Sequence, residues 1–350
     1  DYYICKELEK CGVDFFAVSN ISEAVVLKNK GIKGEILIFG KTPVELFHLI
    51  TENGFHQTVY SLDYAKQLSD YCVSKGDKIS VHIKIDTGMS RMGFVYDNNN
   101  LQNQNTLKDI KNIFNFKGLI LNGIYTHFSH SDSFDESAKQ FTKAQYENFR
   151  DIIKILENDN LKFKTIHCQN SGAIEYGVFD ICTHGRPGII LYGLAPSREY
   201  NNLFSLKPVM SLKSTITAIK ELKKDSFISY SRKFKTTKDI KVAIIPAGYA
   251  DGYFRDFYKQ GYVLIHGKKA KIVGVICMDQ FMVDVTDFED VKEGNLVILM
   301  GCAENGEKIT ADQMASWSDT INYEIVCGVS RRVPRVYIKN QEIIDYVSYL

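Results

Sequence analysis

The sequence lacks the features that mark membrane proteins and nucleic-acid-binding proteins. No run approaches the ~18 apolar residues that a membrane-spanning helix needs, so we expect no membrane partner. The 43 Lys and Arg residues nearly balance the 42 Asp and Glu residues, and the formal net charge of +1 gives no reason to expect nucleic acid as a partner. No signal peptide is visible, but the sequence opens with Asp1 instead of Met, so we expect its start to be cut.

Cysteine pairs of the kind that bind zinc are also missing. None of the eight cysteines belongs to a Cys-x-x-Cys motif, and none lies at zinc-ligand spacing from a histidine. Most lie inside apolar runs, as Cys277 does. We therefore expect no metal, and we expect buried free thiols in a reducing, cytoplasmic setting. Internal repeats and low-complexity tracts are absent as well.

What is present is the composition of a globular protein, with 45% hydrophobic and 24% charged residues in a chain of 350. The first part alternates short apolar strands with helices, which predicts parallel βα units in an α/β fold. We expect a (β/α)8 TIM-like barrel over residues 1–207, lacking its first strand or strands, because eight strands need one or two more before residue 1. The expected strands include 14–18, 35–39, 79–85, 123–128, 165–169 and 188–192.

The pattern changes after Pro208, where longer strands follow one another without helices. Residues 208–350 are therefore predicted to form a mostly β C-terminal domain. His266-Gly267-Lys268 separates two apolar runs and is typical of a hairpin turn. Thr310 and Gln313 have capping-box spacing, which predicts the start of a late helix.

The most informative motif is the segment 81–94, in which a strand ends in Asp-Thr-Gly and a loop follows. Polar groups at the C-terminal end of a barrel strand face the active site. Arg91 in this loop is suited to bind an anionic oxygen of a cofactor or substrate. Lys84 is expected to point into the barrel if Ile83 and Ile85 point outwards, and a buried lysine needs a partner or a modification. The alternative is a surface loop with an incidental arginine.

Polar residues end two further strands. His127 is the best candidate for a histidine of the site, although a single histidine on a strand is more often structural. Ser171 and the amides behind it are suited to bind phosphate at a helix N-terminus, or Ser171 is an ordinary N-cap. Gly188 and the next amide offer a second phosphate contact, and the spacing of Asn170-Ser171, Arg186 and Gly188 fits one cofactor across two strand ends.

The β half carries aromatic and polar motifs around Tyr230, Tyr249 and Met278. A single tyrosine in a β domain usually belongs to a core or an interface. The polar Met278-Asp279-Gln280 after an apolar strand is harder to explain as packing.

These motifs, in their order, are similar to bacterial alanine racemases, which are pyridoxal-phosphate-dependent enzymes of fold type III. The resemblance covers essentially the whole chain, and Asp-Thr-Gly-Met-x-Arg together with Gly-Tyr-Ala-Asp-Gly is highly specific. The segments that carry it are Lys84–Gly93, Tyr125–Phe128, His167–Ser171, Arg186–Gly188, Gly248–Gly252, Cys277–Gln280 and Ile321–Glu324.

The resemblance implies a head-to-tail homodimer, in which each active site uses the barrel of one subunit and the β domain of the other. It implies two-base proton transfer between L- and D-alanine, a small amino-acid substrate, with pyridoxal 5'-phosphate as cofactor, supplying D-alanine for peptidoglycan. Residues expected to bind the cofactor are His167, Asn170, Ser171, Arg186, Gly188, Ile189 and Tyr323. Residues expected to contact the substrate are Arg91, Tyr249 and Met278.

Three expected catalytic residues are Tyr230, His127 and Arg91. Tyr230 matches one of the family's two bases; because a phenol has a reference pKa of about 10, it needs help from a group such as His127. The resemblance places Arg186 at the pyridine nitrogen, supported by His167. It also implies that Lys84 is carboxylated by carbon dioxide, so that the resulting anion pairs with Arg91.

The sequence departs from the family at its front. The Schiff-base lysine, which is also the second base, lies in a Lys-x-x-Ala-Tyr-Gly-His-Gly motif that this sequence does not contain. We expect an N-terminally truncated sequence, and we expect the chain as given to be inactive. Sequencing the parent gene upstream tests this expectation.

Three alternatives stay open at this point. One is the serine racemase module of a glycopeptide-resistance protein, which turnover of L-Ala and L-Ser would distinguish. Another is a basic-amino-acid decarboxylase, whose C-terminal cysteine and aspartate signature is not seen. The third is a non-catalytic cofactor-binding protein, a class that has only the barrel, whereas residues 210–340 form more than a barrel.

Overall fold

The structure is a computed structural model that describes residues 2–97, 100, 103–174, 179–200 and 205–348. It divides into two compact units, Asp1–Gly188 and Ile189–Leu350. The change of pattern seen in the sequence at 207/208 lies inside the second unit, so the assignment of 1–207 to a cofactor-binding barrel stays a prediction. No helix among the described residues is long and apolar enough to cross a membrane.

The first unit is built on a parallel sheet in the order β1-β2-β3-β4-β6-β7, with the short β5 paired to β4. This is a TIM-like half-barrel, as the alternating pattern predicts, because each parallel crossover runs through a helix or loop on the outside. A parallel bridge between His167 and His184 continues the sheet beyond β7. The strands are β1 Phe15–Val18, β2 Glu35–Ile38, β3 His56–Val59, β4 Ile79–Asp86, β5 Phe94–Val95, β6 Leu119–Tyr125 and β7 Thr165–His167.

The helices of this unit begin and end at residues with recognisable capping chemistry. The Asn20 and Ser61 side chains accept hydrogen bonds from the first-turn amides of the second and fourth helices. Gly54 and Gly76 end the third and fourth helices in the left-handed conformation. The helices are α1 Tyr2–Lys10, α2 Ile21–Asn29, α3 Phe47–Asn53, α4 Leu62–Lys75, α5 Asn103–Phe114 and α6 Glu136–Asn158.

Strand β4 shows how the sheet places polar groups in its interior. Its residues Ile79, Val81, Ile83 and Ile85 are at most 2% exposed and belong to the hydrophobic core that the helices cover. Successive side chains of a strand point to opposite faces, so the intervening set 82, 84 and 86, namely His, Lys and Asp, lies on the other face. These three side chains are also buried, which requires that each finds polar partners.

The second unit is mostly antiparallel sheet, as predicted. Strands β14-β13-β16-β17 with β8 form one sheet and strands β15-β12-β9 form another, and two hairpins, β10-β11 and β18-β19, complete the unit. The unit has one large apolar core and a smaller apolar cluster that includes Ile240 and Val242 of β12. The strands are β8 Leu212–Thr215, β9 Ala218–Leu222, β10 Phe227–Ile228, β11 Phe234–Lys235, β12 Ile240–Ile245, β13 Tyr262–Ile265, β14 Lys268–Lys271, β15 Phe281–Asp284, β16 Leu296–Cys302, β17 Lys308–Ile309, β18 Arg335–Lys339 and β19 Glu342–Val347; the helices are α7 Ala311–Trp317 and α8 Asn322–Gly328.

Two local predictions in this unit are confirmed and one strand is wrong. His266 and Gly267 adopt positive φ between β13 and β14, as a tight hairpin requires. The Thr310 side chain accepts from the Gln313 amide at the start of α7. The segment Ile189–Tyr192 is a 3₁₀ turn instead of a strand, because Gly193 closes it with a left-handed residue whose amide bonds to the Ile190 carbonyl.

Candidate active site

The candidate site in the first unit lies where neighbouring parallel strands end. Lys84 and Asp86 are the last inward residues of β4, Tyr125 ends β6 and His167 ends β7. All four side chains are buried. The carboxyl ends of parallel strands share one edge of a sheet, so these groups converge there.

The Tyr125 ring is the centre of this cluster. It stacks on the His167 imidazole at 4.7 Å between centroids, with 10° between the planes. The Lys84 Nζ and the Arg186 guanidinium lie 5.2 Å and 5.4 Å from the ring centroid. The electron-rich face of an aromatic ring attracts cations, so Tyr125 brings two positive side chains close together. Its hydroxyl bonds to Thr58 Oγ1 at 3.0 Å.

Arg186 is fixed by hydrogen bonds from both ends of its guanidinium. Nη1 donates to His167 Nδ1 at 2.8 Å, and Nη2 donates to the carbonyls of Thr126 and Cys168 at 2.9 Å and 3.1 Å. Nη2 also lies 3.3 Å from His127 Nδ1. Because a guanidinium only donates, both histidines must present unprotonated Nδ1 atoms to it. Their ring protons therefore lie on Nε2.

The positive charges change the titration of their neighbours. Burial, followed by Arg186, Lys84 and Arg91, lowers the pKa of His127 to about 3. Burial and Arg186 hold the pKa of His167 well below its usual value. Burial, followed by Arg91 and Arg186, lowers the pKa of Lys84 to about 8. At neutral pH both histidines are neutral, and Lys84 is closer to its neutral form than an exposed lysine is.

Asp86 builds the loop that carries Arg91. Its Oδ1 accepts hydrogen bonds from the Gly88, Met89 and Ser90 amides at 2.9–3.0 Å. One carboxylate oxygen thus organises the whole turn. Gly93 then approaches the strand so closely that a Cβ atom would lie 2.9 Å from the Lys84 carbonyl oxygen. Arg91 itself is exposed.

The two predicted phosphate contacts of this unit lie together. The Gly188 amide donates to Ser171 Oγ at 2.8 Å. Asn170 has a different position: its Oδ1 accepts from Ser131 Oγ and from the Ala173 amide at 2.7 Å and 2.9 Å. Asn170 therefore shapes the loop that presents Ser171. The rest of the helix expected after Ser171 extends into 175–178, outside the described residues.

In the second unit, Tyr230 is presented by a strained turn. Its side chain is 67% exposed. The flanking Ser229, Ser231 and Arg232 all have positive φ although none is glycine. Such conformations cost roughly 1–3 kcal/mol each and persist where the surroundings enforce them, often at functional sites. Ser229 Oγ donates to the Val275 carbonyl, and this bond holds the turn against the segment 275–278.

Tyr249 and Met278 are held side by side by their backbones. The amides of Tyr249 and Ala250 donate to the carbonyls of Cys277 and Met278, each at 3.1 Å. Gly248 permits this approach, because a Cβ atom there would lie 2.2 Å from the Met278 carbonyl oxygen. Both side chains are exposed, and the segment 275–278 connects them to the turn of Tyr230. Tyr323 packs half-buried against the core of this unit.

Comparison with known proteins identifies the family. The family model of the alanine racemase N-terminal domain matches residues 2–196, and that of the C-terminal domain matches residues 209–337. The chain belongs to the alanine racemase family. It is 42% identical over 341 residues to the alanine racemase of Clostridium novyi (strain NT), covering 97% of this chain and 86% of that protein.

Solved structures of alanine racemases have the same fold. The enzyme of Clostridium difficile 630 superposes with a TM-score of 0.92 at 38% identity, covering 100% of this chain and 88% of that one. The enzyme of Bacillus anthracis, solved with bound L-Ala-P, has a TM-score of 0.87 at 29% identity, covering 99% and 95%. The barrel and β domain described above are therefore those of an alanine racemase.

The barrel cluster of this racemase-family chain suits a phosphorylated pyridine. The cations Arg91 and Arg186 lie close enough to Lys84 to act on it electrostatically, and the nearby Asp86 already accepts three amides through Oδ1. That excess of positive charge favours an anionic ligand. A pyridine nitrogen accepts hydrogen bonds and Arg186 only donates them. Among the described residues no group of His, Cys, Asp and Glu is arranged to hold a metal ion.

Sequence reasoning missed Tyr125, His82 and Thr126 as members of this cluster. Period-two alternation in β4 places His82 on the same face as Lys84, and this signal was available. Nothing in the sequence indicates that the Tyr125 ring stacks on His167, because the two residues lie on different strands, 42 positions apart. That contact depends on the order of the strands in the sheet.

Proposed function

We propose that this protein interconverts L- and D-alanine, with pyridoxal 5'-phosphate as its cofactor. The observation that carries the proposal is Arg186, which His167 and two backbone carbonyls fix beside Lys84 at the carboxyl edge of the half-barrel. The family to which the chain belongs supports the same activity.

The described residues support binding of the phosphate and the pyridine nitrogen of the cofactor. Ser171, Gly188 and Ile189 would hold the phosphate, with Asn170 shaping the loop. Tyr323 is a further expected contact of the cofactor. Arg186, held by His167, would donate to the pyridine nitrogen without protonating it, since a guanidinium does not release its proton near neutrality.

Proton transfer needs an acid or base on each face of the substrate's Cα. When bound, pyridoxal phosphate withdraws electrons from that carbon and acidifies its proton. Tyr230 takes or returns the proton on one face. His127 carries its ring proton on Nε2, because Nδ1 accepts from Arg186; that N–H is suited to stabilise a tyrosinate. Arg91 and Met278 bind the substrate carboxylate, and Tyr249, held beside Met278, lines the substrate site.

Lys84 is the residue that we propose to be carboxylated. Its amine lone pair attacks the carbon of CO2, an N–H proton leaves to solvent, and a carbamate anion results. The cations Arg91 and Arg186 that lower the pKa of Lys84 stabilise such an anion for the same electrostatic reason. The anion then pairs with Arg91 and orients it.

We further propose a cytoplasmic homodimer with shared active sites that supplies D-alanine for peptidoglycan. The exposed positions of Tyr230, Tyr249 and Met278 support a site completed from a second subunit. A side chain that is 67% exposed, as Tyr230 is, gains little from its own subunit and is suited to contact a partner.

The test is turnover of L-alanine and L-serine by the full product of the gene, with circular dichroism following the D-isomers. We expect L-alanine to be preferred; preferential turnover of L-serine would contradict the substrate assignment.

Changing Tyr230→Phe should reduce kcat by about 10²- to 10⁴-fold, because the general base is lost while the ring remains. Tyr346→Phe removes the hydroxyl of another exposed tyrosine and should leave kcat unchanged.

The polypeptide 1–350 alone is expected not to racemise alanine. It supplies Tyr230 but contains no Lys-x-x-Ala-Tyr-Gly-His-Gly motif, and one base cannot both remove a proton from one face of Cα and return it on the other. Formation of D-alanine from L-alanine by this polypeptide, followed by circular dichroism, should be absent.

A further inference from the structure

A line of buried hydrogen bonds crosses the interior of the half-barrel behind Arg186. His167 Nε2 lies 3.0 Å from His82 Nδ1, and His82 Nε2 lies 3.2 Å from His56 Nδ1. His56 Nε2 lies 3.2 Å from Glu35 Oε2, whose side chain is 51% exposed. The three imidazoles are at most 5% exposed, so the line connects a surface carboxylate to the guanidinium in the site.

We propose that Glu35, His56 and His82 are positioning residues for Arg186, acting through this line of hydrogen bonds. None of them is expected to touch the substrate or the cofactor. This proposal rests on the proposed function in one respect: the orientation of Arg186 affects activity only if Arg186 binds the cofactor.

The donors and acceptors of the line have one consistent assignment. Arg186 donates to His167 Nδ1, so the His167 proton lies on Nε2 and is donated to His82 Nδ1. The His82 proton then lies on Nε2 and is donated to His56 Nδ1. The His56 proton lies on Nε2 and is donated to Glu35, a carboxylate that only accepts. Every ring is neutral, and the fixed donor at one end and the fixed acceptor at the other determine all three tautomers.

The titration of the rings agrees with this assignment. Burial lowers the pKa of His82 to about 3, and burial also lowers the pKa of His56, against the opposing effect of Glu35. The Asn122 Nδ2 group lies 3.4 Å from His56 Nδ1 and can only donate to it. This contact also requires that His56 Nδ1 is unprotonated.

Gly123 shows that the sheet is built around the line. It is the register partner of His82 on β6, between β4 and β7. A Cβ atom at Gly123 would lie 2.3 Å from His82 Nδ1. The His82 ring thus occupies the space of a side chain that is missing from β6, and only that gap lets it reach His167.

The line has a physical effect at its inner end. A ring that donates its N–H to an acceptor becomes a better acceptor at its other nitrogen, and hydrogen bonds in series strengthen one another by about 10–30% per bond. The Glu35 carboxylate therefore strengthens the bond that His167 accepts from Arg186. Replacing it with a neutral amide keeps the geometry and removes most of this polarisation.

The test compares Glu35→Gln with Glu52→Gln, an exposed glutamate of the same unit that has no part in the line. Long-range ¹H–¹⁵N NMR of the ¹⁵N-histidine-labelled full gene product reports the tautomer of each ring, and single histidine variants assign the signals. We expect the Nε2–H tautomer for His56, His82 and His167. Glu35→Gln should shift the ring nitrogens in the order His56 > His82 > His167, and Glu52→Gln should shift none.

An Nδ1–H tautomer at His82, or unshifted His82 nitrogens in Glu35→Gln, would overturn the proposal. Gly123→Ala provides a second variant: if it folds, judged by circular dichroism, His82 must move and the His167 tautomer should no longer be single. These spectra do not depend on racemisation. The NMR test can therefore succeed or fail independently of the test of the proposed function. In an active enzyme, Glu35→Gln should lower kcat and leave KM unchanged, and a kcat equal to that of Glu52→Gln would also overturn the positioning role.

Discussion

At the scale of the residue, Lys84 shows how one buried cation is tolerated next to two others. Its Nζ contacts the face of the Tyr125 ring, and the nearby Asp86 offsets part of the repulsion from Arg91 and Arg186. Burial, followed by the remaining repulsion from these two cations, lowers the pKa of Lys84 to about 8. A shift of this size makes the amine reactive under conditions in which exposed lysines are protonated.

Lys84 is therefore expected to take up carbon dioxide. Because the folded pKa lies below the unfolded value, the neutral amine becomes populated as the pH rises through about 8. With ¹³C-bicarbonate, a carbamate carbonyl signal should appear in ¹³C NMR and should grow as the pH is raised from about 6 to 9. Lys66→Arg, at an exposed lysine, should keep the signal, and its persistence in Lys84→Arg would refute the assignment.

At the scale of the element, the turn after β4 converts the end of a strand into a binding loop. Asp86 accepts three consecutive amides, so the loop is held by a single side chain on the strand. Asx-type turns of this kind are common, but here three amides bond to one oxygen, which fixes the conformation of the loop more firmly than a single bond would. The position of Arg91 depends on that oxygen.

Asp86→Ala should reduce the free energy of unfolding by about 2 kcal/mol, since charge-assisted bonds are lost and the amides are partly rehydrated. Urea unfolding followed by circular dichroism measures this change. Asp86→Asn keeps an oxygen acceptor and should lose clearly less. An equal loss in both variants would show that charge, and not the acceptor, holds the turn.

The sequence predicted the elements better than their contacts. Hydrophobic alternation identified β4, and the Asp-Thr-Gly turn after it identified Lys84 and Arg91, because both signals are local. The pairing of His82 with His167 could not be predicted, since it joins residues 85 positions apart and depends on which strands are neighbours. The strand expected at 188–192 was wrong because the apolar run was read without the left-handed Gly193 that closes it as a turn.

At the scale of the whole molecule, the expected acid–base and cofactor residues are distributed over two compact units. Arg186, His127 and Lys84 belong to the first unit, and Tyr230 and Met278 belong to the second. The proposed homodimer explains this distribution if each site takes its two halves from different subunits. In a two-fold dimer, such a contact occurs twice and produces two equivalent sites.

Mixed dimers test this arrangement directly. Arg186→Ala disables the barrel half and Tyr230→Phe disables the β half, so each variant alone should be inactive. When the two are co-expressed, half of the dimers are mixed and each mixed dimer has one intact site, so about one quarter of the wild-type activity should return. Sites formed within one subunit would give no recovery.

Strand β4 also limits how this protein can change. Core residues and site residues alternate along it without interruption. Inserting or deleting one residue would turn its isoleucines towards the cations and its lysine and histidine towards the helices, because the two faces exchange with every single step. Variation at this strand is therefore confined to substitutions, or to insertions and deletions of two residues. We expect the spacing between His82, Lys84 and Asp86 to vary less among related sequences than the apolar residues between them.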